Sequence, residues 1–149
     1  MMKIKVGVLL LGIWLVNPAF STLAMDGQAG RPRVVILTDI SNEPDDQQSL
    51  VRFLTYANEF EIEGLIATTS CWRRTNPDTP AIMEVLNAYE AVQGNLSKHA
   101  RGFPPAESLR SVTRTGVDGF GMDAAGRQLD NEGIEHIISV LDRPDPRPV

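Results

Sequence analysis

Arg33-Val34-Val35-Ile36-Leu37-Thr38 runs straight into Asp39-Ile40-Ser41-Asn42-Glu43-Pro44-Asp45-Asp46, and this change from β-branched apolar residues to an acidic turn constrains the fold most strongly. A nearly continuous apolar run suits a strand covered on both faces, the pattern of a parallel sheet rather than of an exposed ribbon. After the turn the spacing becomes helical from Asp46 to Asn58. Leu50, Phe53, Leu54 and Ala57 fall at i, i+3, i+4 and i+7 and form one apolar stripe. Gln47, Gln48, Arg52 and Asn58 can face outward or toward a site.

The same alternation repeats. Glu61 to Thr68 reads as a second strand, weakened by Gly64, which contributes no side chain to packing. Thr69 to Thr79 reads as a loop. Thr79 is the expected cap of the next helix, with Pro80 in its first turn and Ile82, Val85, Leu86, Tyr89 and Val92 as its buried stripe. This β-α-β-α order predicts an α/β fold with a parallel sheet and helical crossovers. Gly94 to Asp130 is less regular, with a short helix expected at Ala106–Ser111 and a tightly turned surface segment at Gly116–Gly121. Asp130 or Asn131 is expected to start a last helix carrying Ile134, Ile137, Ile138 and Leu141. No internal repeat is present. Two recognisable strands are too few for an independent parallel sheet, so 33–149 is expected to be the N-terminal part of a longer domain. A small protein dimerising through its sheet edge is the alternative.

The N-terminus has a different character. Basic Met1–Lys5, the apolar run Val6–Val16 and the small residues up to Ala24 follow the order of a signal peptide over 1–24, with cleavage after Ala24 favoured over Ser21. The apolar run is shorter than the roughly 20 residues a membrane-spanning helix needs. The expected product is secreted or periplasmic, with no stable membrane insertion after cleavage and a flexible lead-in over 25–32. The formal charge of −5 becomes more negative once Lys3 and Lys5 are removed. No basic patch is broad enough to track phosphates, which argues against nucleic acid as a partner. Cys71 is the single cysteine, so no internal disulfide can form.

In an open α/β sheet, ligands gather beyond the C-terminal ends of the strands. Asp39 sits at such an end, and Asp45 and Asp46 open the following helix. A folded turn can bring the three carboxylates together, and their mutual repulsion would be offset by a hard divalent cation, with Ca2+ suited to irregular oxygen geometry. Ordinary helix capping by the aspartates, with Asn42 and Pro44 as turn residues, explains the same residues without a cation. The turn lacks EF-hand spacing and a glycine-rich lysine loop. Beyond the second strand, Trp72, Arg73 and Arg74 are placed to edge a sugar or anion site. Trp72 can equally pack a surface loop. Cys71 reads as a small buried filler, His99 as a loop residue beside Lys98, and His136 as a helix residue beside Ile137-Ile138. Phe120 and Met122 can cover a ligand or anchor their loop.

The blocks Val35–Leu54 and Asn58–Ser70, with Lys98-His99-Ala100 and Asp142–Pro148, closely resemble the DUF1593 family, also described as a cellulose-binding, nucleoside-hydrolase-like domain. The resemblance spans nearly all of the mature chain. It implies the front section of a nucleoside-hydrolase-like α/β domain, continued by further strands and a β-rich C-terminal domain. In nucleoside hydrolases the matching aspartates hold calcium beside sugar hydroxyls and a water. Carried over, Asp39 is both ion ligand and proton acceptor, Asp45 and Asp46 are further ligands, and Thr69 or Ser70 falls where those enzymes place an asparagine toward the sugar. Asn42, Ser70, Trp72 and Arg73 are the resulting substrate-contact candidates. The turn departs from the family of hydrolases by being longer than their aspartate–proline–glycine turn. The implied function is a secreted calcium-dependent hydrolase-like domain acting on a glycosidic or N-glycosidic bond of a carbohydrate or nucleoside. The alternatives are a non-catalytic carbohydrate-binding protein and an inactive structural fragment.

Overall fold

The computed structural model describes residues 30–126 and 130–149. The expected signal peptide and lead-in residues 25–29 lie outside the described residues. Strand β1 (Arg33–Thr38), helix α1 (Pro44–Leu54), strand β2 (Glu61–Ala67), helices α2 (Thr79–His99) and α3 (Ala106–Ser111), strand β3 (Thr113–Thr115) and helix α4 (Glu132–Leu141) follow in order. The three strands form one parallel sheet in the order β1-β2-β3. Helices α1, α2 and α3 bury Leu50, Leu54, Ile82, Leu86 and Leu109 against Leu65 and Ala67 of β2 on one face. Helix α4 packs near β2 and β3 on the other, where Gly133 allows close approach and Gly64 makes room for the Val35 side chain of β1. A Cβ at Gly133 would lie 2.7 Å from the Thr115 carbonyl oxygen, and one at Gly64 would lie 2.9 Å from Val35 Cγ1.

Several expected boundaries shift, each for a local reason. Helix α1 starts at Pro44, because proline needs no hydrogen-bonded N–H in a first turn, and stops at Leu54; Ala57 and Asn58 lie in a separate 3-10 turn. Helix α2 is capped by Asp78, whose side chain accepts from Ala81 N at 3.2 Å, while Thr79 is helical and its hydroxyl pairs with that of Thr115 at 2.8 Å. The helix continues through His99, which therefore sits in its last turn and not in a loop. Val92 is exposed, so the α2 stripe ends at Tyr89. Burial pushes the Tyr89 phenol up to about 12, and its hydroxyl donates to the Pro104 carbonyl at 2.8 Å. Strand β3 went unseen in the sequence because three residues, Thr-Arg-Thr, carry no apolar alternation.

Two corrections concern exposure. Strand β1 is an edge strand of the described sheet, and Leu37 keeps 59% of its surface in solvent. On α4 the inward residues are Gly133 and Val140, with His136 half-buried between them, whereas Ile138 and Leu141 face out. Helix α4 is rotated from its apolar stripe because the backbone of Thr115-Gly116 lies against it and only glycine fits there.

His136 turns Nε2 to the Glu63 carbonyl oxygen at 2.6 Å. Burial first, and the Arg114 charge second, hold its pKa below the ordinary 6.5. The unfolded chain therefore takes up this proton before the folded one does. Stability is expected to be full above about 6.5 and to fall as pH drops through that value toward the folded pKa. Urea midpoints measured from neutral pH to about 5.5 should show this slope in the wild type and a shallower one in His136→Gln.

Candidate functional site at the C-terminal rim of the sheet

The turns after β1, β2 and β3 share one rim. The first is built around Ile40, which is fully buried and anchors the chain between strand and helix. Ser41 adopts φ 77, and Asn42 N returns to the Asp39 carbonyl at 3.1 Å, with the Asn42 amide nitrogen donating to that same oxygen. Glu43 caps α1 reciprocally: its backbone N donates to Asp46 Oδ2 at 3.1 Å while its own side chain accepts at the third helical position. The carboxylates of the turn thus have distinct settings. Asp46 is engaged in the capping box, Asp45 is exposed on the first helical turn, and Asp39 is half-buried. Asp39 and Asp46 line a depression of about 290 Å³ together with Ile36, Leu37, Thr38, Ser49, Leu50 and Phe53.

Oxygen donors of this kind suit a hard cation, and Asn42 Oδ1 is buried with no hydrogen-bond partner. Yet among the described residues no group of three or more His, Cys, Asp or Glu side chains is arranged to hold a metal ion. The capping box explains why: a carboxylate that satisfies the backbone N of Glu43 is turned along the helix end. Among the described residues the three carboxylates of the turn are thus not gathered on one point.

The loops after β2 and β3 are tied to each other. Thr69 Oγ1 donates to the Gly119 carbonyl at 2.5 Å, and Asn76 N, at φ 55, donates to Asp118 Oδ1 at 2.6 Å. Arg73 is occupied within its loop, donating from Nε to the Asn76 carbonyl at 2.6 Å and pairing with Asp78 at 3.1 Å. Ser70 closes a tight turn, its N bonded to the Arg73 carbonyl and its Oγ accepting from Trp72 N at 3.4 Å. This scaffolding leaves the Trp72 side chain 75% exposed. Phe120 and Met122 are exposed as well, and the Arg74 guanidinium lies 5.7 Å from the Phe120 ring centroid. Asp78 and Asp118, which set this loop pair, carried no signal in the sequence beyond being ordinary loop aspartates. Cys71 is exposed, and His99 lies at the far end of α2 from the rim.

The model of the family described as "Cellulose-binding Sde182, nucleoside hydrolase-like domain" matches residues 33–149. The chain belongs to that family. A solved structure of a nucleoside hydrolase-related hypothetical protein from Saccharophagus degradans, associated with carbohydrate metabolism, is 47% identical with a TM-score of 0.76. The match covers 80% of this chain and 29% of that one, so the chain spans under a third of that relative's length. No curated protein matches. Family membership makes the parallel sheet with flanking helices a partial nucleoside-hydrolase-like fold, and no described helix is long and apolar enough to cross a membrane.

Proposed function

We propose that this chain is an exported carbohydrate-binding domain that uses the nucleoside-hydrolase-like rim to hold a polysaccharide and does not complete a catalytic centre of its own. The observation that carries this reading is the side chain of Trp72, held out into solvent by a cross-tied loop pair beside exposed Phe120 and Met122. Aromatic rings offer a flat apolar face with a rigid, low-entropy side chain, and the C–H face of a pyranose is the matching surface. The "cellulose-binding" description of the family and the link of the Saccharophagus relative to carbohydrate metabolism support a β-glucan as ligand class. Depletion on insoluble cellulose, run beside turnover assays on nucleosides and aryl glycosides, tests this. Retention on cellulose without turnover, unchanged in Asp39→Asn, is the expected result. Turnover that vanishes in Asp39→Asn would replace it with the catalytic reading.

That second reading, a calcium-dependent hydrolase-like domain, is favoured by one observation, the orphaned Asn42 Oδ1 beside Asp39. Under it, Asp39 is the residue positioned to accept a proton from a water attacking an anomeric carbon. Calcium titration of the wild type against Asp45→Ala and Asp46→Ala checks the ligand set. Tight binding lost in both variants would support calcium at this turn, and no binding at saturating calcium would remove it. Export is checked separately, by sequencing the N-terminus of the mature protein, where Met25 is the expected first residue.

A further inference from the structure

At the opposite end of the sheet, where β1 and β2 begin, three arginines and three carboxylates interlock. Arg33, with its side chain only 2% exposed, pairs with Glu63 at 2.9 Å and donates to the Val140 carbonyl at 2.7 Å and the Arg147 carbonyl at 3.1 Å. Arg147 answers in kind. It donates to the Arg31 carbonyl at 2.8 Å and pairs with Asp145 at 2.6 Å and Glu61 at 2.7 Å. Arg143 closes the ring on Glu63.

Glu63 owes its place to an irregularity. The β1–β2 register jumps from Val34↔Ile62 to Val35↔Gly64, so Glu63 is an extra residue with no partner on β1. Such a bulge re-aims a side chain. Here Glu63 is buried against Arg33, while Ile62 and Leu65 on either side keep to the α1–α2 face.

We infer that this six-residue cluster is a latch, which fixes the chain leaving α4 against the N-terminal end of β1 and aims it at that strand's edge instead of at β3. The reciprocal carbonyl bonds between Arg33 and Arg147 and between Arg147 and Arg31 bring residue 147 beside residues 31–33. Equal numbers of opposite charges let Arg33 and Glu63 be buried together, whereas neither would be tolerated there alone. Hydrogen bonds from Arg147 hold the Asp145 carboxyl well below the usual carboxylate range, with Arg33 adding to the effect. The Asp145 contribution to the latch is therefore lost only as pH falls below its ordinary value of 3.8 toward the folded one.

The test is paramagnetic relaxation from a nitroxide at Val149→Cys in a Cys71→Ser background. With the latch intact, the amide protons of Arg31, Arg33 and Val34 should relax several-fold faster than those of 113–115. In Arg147→Ala and in Glu63→Gln that preference should disappear while α2 resonances keep their positions. Equal relaxation at both edges with the latch intact, or an unchanged preference in the variants, would overturn the inference. Should Glu63→Gln fail to fold, Arg147→Ala decides, since its side chain is partly exposed and leaves the Arg33–Glu63 pair in place.

Discussion

Replacing Trp72 with alanine is expected to weaken binding to insoluble cellulose by about 30-fold or more, since a central aromatic anchor typically contributes about 2 kcal/mol or more. The side chain has no role inside the protein: it is 75% exposed, and only the backbone N of Trp72 is used, by Ser70 Oγ. Since that holds among the described residues, its loss should leave the thermal midpoint within the small range seen for surface changes. Trp72→Phe keeps a ring and should retain part of the affinity. Depletion isotherms on cellulose, read with thermal unfolding of the same samples, separate the two effects. Unchanged affinity in Trp72→Ala would move the binding surface away from this loop.

Leu86→Ala is expected to cost about 2–5 kcal/mol of folding stability, a large share of the roughly 5–15 kcal/mol that holds a typical domain together. Leu86 is fully buried within the cluster that joins α1, α2 and α3 to β2, among Leu54, Leu65, Ile82 and Leu109. Removing its isobutyl end leaves a cavity whose walls belong to separate elements and close only partly. Val92→Ala, one and a half turns further along α2 and exposed, should change stability by under about 0.5 kcal/mol. Urea unfolding should show a lower midpoint at unchanged slope for Leu86→Ala and none for Val92→Ala. A small effect at Leu86 would mean that the α2 face is loosely packed.

How much of this was readable beforehand depends on whether a feature is local. The apolar run of β1, the helical spacing of Leu50 and Leu54, and the Ile82–Tyr89 stripe declare themselves because period and burial are written in neighbouring residues. The position of the acidic turn followed from the same logic. The arrangement of its side chains did not, because capping and cation binding use the same aspartates, and the choice depends on where Glu43 N points. Trp72 was visible as a residue near the rim, but its exposure rests on the ties between Thr69 and Gly119 and between Asn76 and Asp118, 50 and 42 residues apart.

The sequence by itself therefore determined the α/β class, the succession β1-α1-β2-α2 and the end of the sheet at which the acidic turn sits, since each follows from local periodicity and strand direction. The tertiary structure alone decided which carboxylates stand together, which faces of β1 and α4 stay uncovered, and that Glu63 meets Arg33 and Arg143 while Arg147 meets Glu61 and Asp145. Those outcomes depend on long-range contacts, on a single bulge and on how closely Gly133 lets α4 approach the sheet. No run of neighbouring residues carries that information.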